Sequence, residues 1–306
     1  MYRRLTATAC AFMVLVSAAC TPSAPALPTD ASPAAVSEKV RGSGGSSFLG
    51  DITSYEWPDD GRHAGELLSW IPRDAKTSDP ETANRAGATA HAIATFLADH
   101  YNDVKGAGAT NPALIQAYAT ALIPYLGAMV GDPNGTSGFE PLDSLDSSMP
   151  RTAEVFAVMA TDAAADHTFI DAASSHADTY EKQFADLAAA DPTLSSPNWR
   201  NDLLPAARIR GLIKAGSRLA GRQPDPTTQR SVYELQYLVV SRMVRGSAPF
   251  ISPEYFNPDG SLKSADEIDG PWSRYNAQLG SYLTSYPQIT DAIKVFQDTF
   301  TAIGQP

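Results

Sequence analysis

Proline cuts this chain into helices. Asp79-Pro80, Asn111-Pro112 and Asp225-Pro226 each stand directly before a stretch in which apolar residues recur every three or four positions. An Asx side chain can accept N–H groups of a helix's first turn, and proline at the first helical position lacks only an N–H that would have no partner there. The pairing therefore reads as a repeated start signal. After the first junction, Ala90, Ile93, Phe96, Leu97, His100, Tyr101 and Val104 keep the helical period as far as Gly106. After the second, Leu114, Ile115, Tyr118, Ala121, Leu122, Tyr125, Leu126 and Met129 form the cleanest amphipathic pattern. Pro124 lies inside it, removes the bond to the Thr120 carbonyl and predicts a kink. After the third, Val232, Tyr233, Leu235, Tyr237, Leu238, Val239, Val240, Met243 and Val244 are apolar nearly all round, which predicts the central helix of a bundle.

The same period fills the rest of the chain. Ala64, Leu67, Leu68 and Ile71 share one face of a short helix that Pro72 is expected to end. Pro150 opens a helix with Val155, Phe156 and Met159 inward, and another runs from about Asp166 through Phe169, Ile170, Tyr180, Phe184 and Leu187 to Asp191-Pro192. Leu203 to Arg222 converges Ile209, Leu212, Ile213, Gly216 and Leu219. After a long loop from Gly246 to Gly270, with a turn at Asn257-Pro258-Asp259-Gly260, two last helices carry Trp272, Tyr275, Leu279, Tyr282 and Tyr286, then Ile289, Ile293, Phe296, Phe300 and Ile303. Strand alternation is nearly absent. The expected class is all-α, a single bundle of about eight to nine antiparallel helices over residues 50–306. The polar loop Gly131 to Ser148 is a candidate seam, but either half would be small. No 34-residue period supports a solenoid.

The first twenty residues carry an address. Arg3 and Arg4 precede a largely apolar run from Leu5 to Val16, too short to span a bilayer, and then the small residues Ser17, Ala18 and Ala19 lead into Cys20. Ser17-Ala18-Ala19-Cys20 resembles the lipobox of bacterial lipoproteins, departing from it in having Ser17 where Leu, Val or Ile is usual. The resemblance implies that residues 1–19 are a signal peptide, that the Cys20 thiol is acylated, and that the protein is exported and lipid-anchored to the outer face of the cell membrane. From Thr21 to Ser47 the chain holds Pro22, Pro25, Pro28 and Pro33 among Ala, Ser and Thr, then Gly42, Gly44 and Gly45. Such a composition predicts a disordered tether over 20–49.

Charge and cysteine narrow the functions. Arg3 and Arg4 leave with the leader, so 21 of the 23 basic residues stand against all 34 acidic ones, a net charge of −13. That balance argues against nucleic acid as a partner. Cys10 leaves with the leader and Cys20 is taken by lipid, so a disulfide, a thiolate metal site and a cysteine nucleophile are excluded on that count. Stability must come from packing. No apolar run near 18 residues follows the leader.

A second resemblance concerns the helical part. Trp57 with Gly61, Leu67-Leu68-Ser69-Trp70-Ile71, Arg85-Ala86-Gly87, Asn111-Pro112-Ala113-Leu114 and Ala121-Leu122-Ile123-Pro124-Tyr125-Leu126 together resemble a block of mycobacterial proteins containing a TPR-repeat region. It covers residues 50 to 190. It implies an α-helical fold in an actinobacterial envelope and transfers no catalytic residue.

The chain holds no His-Glu-x-x-His pair, Gly-x-Ser-x-Gly elbow, phosphate loop or dinucleotide fingerprint, and no cofactor or metal is expected. His91 is expected to be solvated, and His100 to be hydrogen-bonded within the apolar face of its helix. His167 and Asp171, four apart, could pair for acid-base work but point away from the apolar stripe, as a solvated pair would. Asp132, Asn134, Thr136, Gly138, Glu140 and Asp143 fall at calcium-loop offsets, yet Ser137 stands where the turn needs Gly, and an ordinary Asp-Pro-Asn-Gly loop fits better. Between Arg200 and Arg245 nine basic residues meet three acidic ones. Of these, Arg210, Lys214, Arg218 and Arg222 share a helix side that could touch anionic lipid headgroups, or simply be solvated.

Three functions are compatible with these features. The first is a non-catalytic interaction protein with an envelope protein partner. The second is a carrier whose apolar cavity opens at the Pro124 kink, around His100, Tyr118, Pro124 and Tyr125, with the aromatic-rich last helices. The third is an enzyme using His100 or carboxylates at that cavity.

Overall fold

A computed structural model describes residues 23–223, 232–268 and 270–305. The leader, Cys20 and the Asp225-Pro226 junction lie outside the described residues. In chain order the helices are α1 (Pro33–Arg41), α2 (Gly45–Ser54), α3 (Arg62–Glu66), α4 (Ile71–Asp74), α5 (Pro80–Asp99), α6 (Tyr101–Val104), α7 (Ala107–Thr110), α8 (Pro112–Leu122), α9 (Leu126–Met129), α10 (Pro150–Met159), α11 (Ala163–Ala190), α12 (Trp199–Leu219), α13 (Val232–Met243), α14 (Trp272–Leu283) and α15 (Pro287–Ile303). The fold is all-α. Among the described residues β pairing is confined to three isolated bridges, two of them in the loop before α14 and the third, Arg245 with Ser247, at its start.

The two proline junctions within the described residues do start helices, by two mechanisms. Asp79 caps α5 conventionally, its carboxylate accepting from the Thr82 N–H at 3.1 Å. Asn111 does not cap α8. It is fully buried and turned outward from the helix, where Oδ1 accepts from the Trp57 N–H at 3.1 Å and Nδ2 donates to the carbonyls of Thr53 at 3.0 Å and Tyr55 at 2.7 Å. The kink at Pro124 takes the form of a short 3-10 turn, Ile123–Tyr125, between α8 and α9. Pro72 begins α4 rather than ending the helix before it, since a proline suits a first turn.

Two larger expectations are corrected. The segment read as a tether through residue 49 folds from Pro33: α1 and α2 bury Val36, Val40, Phe48, Leu49 and Ile52, and α1 packs on α5. Its small residues lowered the mean apolarity without removing the few positions that reach the core. The second correction concerns the centre. α13 buries only Leu235, Val239 and Val240 and leaves Tyr233 55% exposed, packing on α11 and α14 at an edge. The central helix is α12, flanked by α10, α11 and α15. Backbone clearance decides this. A Cβ on Gly216 would stand 2.5 Å from Phe156 Cβ of α10, and one on Gly211 2.8 Å from Ile303 Cβ of α15. Glycine lets both neighbours approach.

The core is one continuous cluster from Val36 to Ile303. The loop at 131–148 is no seam, because it is tied down along its length. Tyr180 donates to Asp132 at 2.5 Å, Thr136 donates to the Pro124 carbonyl at 2.6 Å, and Asp143 accepts from the Thr152 N–H at 2.8 Å at the start of α10. Among the described residues no helix is long and apolar enough to cross a membrane.

Candidate functional site

In the C-terminal part of the chain a groove lies between α13 and α14. Along α14, Trp272, Asn276 and Gly280 follow one another at four-residue spacing beside Ser273 and Ala277, so all five face one way. From α13, Tyr233 and Gln236, three apart, close the other side. These seven residues line a groove of about 420 Å³, and none of these described lining residues is charged. Trp272 is backed by Tyr275, with ring centroids 5.1 Å apart. Tyr275 is fully buried and donates to the Lys263 carbonyl at 2.7 Å, and burial pushes its phenol well up, so the donor persists at any physiological pH. Tyr255 packs on the same ring at 4.7 Å. The indole is therefore held from behind by a locked aromatic stack.

Asn276 lies in this groove's wall and is 6% exposed, yet its Oδ1 has no hydrogen-bond partner among the described residues. A buried acceptor without a donor costs about 1–3 kcal/mol. At Gly280 a Cβ would meet nothing within 4 Å, so the groove is open at that end.

The residues singled out by sequence fall elsewhere. Arg210 is 3% exposed at its side chain and bonds Glu181 of α11 at 3.0 Å and Asp178 besides, so it cannot reach a headgroup. Arg218 donates to the Gly304 carbonyl at 2.6 Å, Lys214 lies over the Phe300 ring at 5.0 Å, and Arg222 bonds Asp166 at 2.6 Å and the Ala160 carbonyl at 2.8 Å. The basic side of α12 is spent on α10, α11 and α15. The amphipathic pattern could not reveal this, because it orders residues around one helix and is silent on how many neighbours that helix has.

Nor do His100, Tyr118, Pro124 and Tyr125 line one cavity. Tyr118 is fully buried and shares a 2.8 Å bond with Thr53, and Tyr125 is fully buried with its ring stacked on Phe139 at 5.3 Å. His100 sits at the end of α5, partly exposed, 2.9 Å from the Ser46 hydroxyl. His91 is half-buried edge-on against Phe139, at 5.2 Å, and burial holds its imidazole below the usual value; the sequence had placed it in solvent.

His167 and Asp171 do form a solvated pair, 3.1 Å apart with side chains 78% and 61% exposed. They border a cleft of about 270 Å³ with Asp166, Ser217 and Arg222. The cleft brings a histidine, carboxylates and a serine together, but the Ser217 hydroxyl donates to the Ile213 carbonyl at 2.9 Å, the ordinary helix-internal bond of a serine. The calcium-offset oxygens are likewise spent: Asp132 on Tyr180 and the Asn134 N–H, and Asp143 on α10. Among the described residues no three His, Cys, Asp or Glu side chains gather to hold a metal.

The groove was missed from sequence because Tyr233 and Trp272 were read as core. The signal that could have found it is the polar pair Gln236 and Asn276 beside two large aromatics on faces otherwise apolar. In comparisons with protein-family models, curated proteins and solved structures, nothing matches the chain.

Proposed function

We propose that the protein is a non-catalytic binding protein of an actinobacterial envelope, lipid-anchored through Cys20 to the outer face of the cell membrane, with the groove between α13 and α14 as its working surface. The observation that carries the binding part is the groove itself, in which the exposed Tyr233 and the partly buried Trp272 stand beside the neutral polar side chains Gln236 and Ser273, with no charged residue among the described ones that line it. Among the described residues, Arg210 and Glu181 are spent joining α12 to α11, and the Ser217 hydroxyl is spent on the Ile213 carbonyl within α12. An enzyme needs a nucleophile or base aimed into a site, which the groove does not offer. The address rests on the lipobox resemblance of Ser17 to Cys20 and on the lack of any other cysteine in the mature chain.

Two measurements test the two parts. Acyl labelling with membrane fractionation should find the wild type labelled and membrane-held and Cys20→Ala released. A Cys20→Ala chain still held at its usual level with no mobility change refutes the anchor. Native mass spectrometry of protein purified from its own host should show a retained species that Trp272→Ala loses. A species that survives Trp272→Ala, or none, refutes the groove.

A further inference from the structure

We propose that the α13–α14 groove binds a neutral saccharide. This rests on the binding-protein reading of the groove and adds the class of ligand. Its walls carry two large aromatic rings, Tyr233 and Trp272, of which the tyrosine is 55% exposed. They carry three neutral polar side chains as well, Gln236, Ser273 and Asn276. A pyranose has the matching chemistry. Its C–H face lies on an aromatic ring, and its hydroxyls both donate and accept. The volume of about 420 Å³ is within the range of small-ligand sites and suits one or two sugar rings.

The other candidates are each missing something. A phosphate or carboxylate would want a cation in the wall, and an ammonium ligand would want a carboxylate; among the described residues the wall holds neither. A lipid chain would leave Gln236, Ser273 and Asn276 facing hydrocarbon. The closest rival is a proline-rich peptide, which also docks on Trp and Tyr. It fits the reachable polar groups less well: Gln236 and Ser273 each offer both a donor and an acceptor, and proline has no backbone N–H to give them, whereas sugar hydroxyls pair with both.

Trp272 is positioned before any ligand arrives. Tyr275 stands behind it, itself fixed by the Lys263 carbonyl and by Tyr255. A rigid platform lowers the ordering cost of binding. Gly280 provides the probe that blocks the groove without touching its chemistry, because a side chain there meets open space and a helix tolerates any straight-chain residue at that point.

The experiment is titration of the purified chain, followed by ligand-observed NMR and calorimetry, with maltotetraose, cellotetraose, mannotetraose and chitotetraose, and with a pentaproline peptide. At least one oligosaccharide should bind with a dissociation constant of roughly 1 mM or tighter. Trp272→Ala and Gly280→Leu should each weaken it at least tenfold, and Gly280→Leu should leave the melting temperature at or above that of the wild type. Absence of binding across the four sugars, binding that Gly280→Leu leaves unchanged, or preference for pentaproline overturns the proposal. If the host-purified protein holds a non-sugar species that Trp272→Ala loses, the groove is a binding site and only the saccharide assignment fails. If Cys20→Ala stays on the membrane, the anchor fails and sugar binding is unaffected.

Discussion

Replacing two mid-helix glycines by alanine should move stability in opposite directions. In both α12 and α14 alanine gains about 1 kcal/mol of helix propensity over glycine. At Gly280 nothing opposes that gain, since the new Cβ meets no atom within 4 Å. At Gly216 the Cβ would stand 2.5 Å from Phe156 Cβ, 3.0 Å from the Phe156 carbonyl carbon and 3.1 Å from Ala157 N. Ordinary carbon contacts need about 3.5–4.0 Å. The α10–α12 pair must therefore part by about 1 Å, while α11 and α15 hold α12 from other sides. Overpacking costs about 1–3 kcal/mol, and a 2.5 Å approach between two Cβ atoms belongs at about 2–3 kcal/mol of that range, so after the helix-propensity gain of about 1 kcal/mol the net effect is a loss of about 1–2 kcal/mol. In a chain of this size each kcal/mol moves the melting temperature by about 2–4 °C. Gly216→Ala should thus lower it and Gly280→Ala raise it, and the double variant should fall near the sum because the sites share no partner. Urea and thermal unfolding followed by far-UV circular dichroism measure all three. A Gly216→Ala chain as stable as wild type would mean that α10 and α12 are not packed backbone to backbone, and the placement of α12 at the centre would fall with it.

Two further outcomes follow from the fold. Asn111→Ala removes three buried bonds, to Trp57, Thr53 and Tyr55, and strands their backbone groups, so it should cost about 3 kcal/mol or more; a loss under about 1 kcal/mol in the urea midpoint refutes the bracket role. His91 and His176 are both held by burial below the ordinary imidazole value, so the unfolded chain takes up protons that the folded one refuses. Stability should drop as the pH falls from about 6.5 toward the depressed folded values. The double variant His91→Leu, His176→Leu should show a smaller drop in melting temperature between about pH 7.5 and about pH 5.5. An undiminished drop would assign the acid sensitivity to other groups.

Local signals were legible wherever a residue and its structural partner sit within one helix. Pro80, Pro112 and Pro150 begin helices, Pro124 breaks one, and Ala64, Leu67, Leu68 and Ile71 are all buried. These follow from the missing N–H of proline and from the helical period, both properties of neighbours in sequence. Asn111 shows where that reach ends. The sequence located the start of α8 there, but its side chain serves Trp57 and Tyr55, more than fifty positions earlier.

What the sequence alone determined, then, is a chain of helices whose starts are marked by proline. What tertiary structure decided is which helix lies inside and which faces are left over. Periodicity counts apolar residues around one axis, whereas position in the bundle depends on how closely two backbones can approach. Gly211 and Gly216 therefore carry α12 to the centre past the more apolar α13, burying Arg210 against Glu181 and leaving Tyr233 and Trp272 to line a groove at the edge.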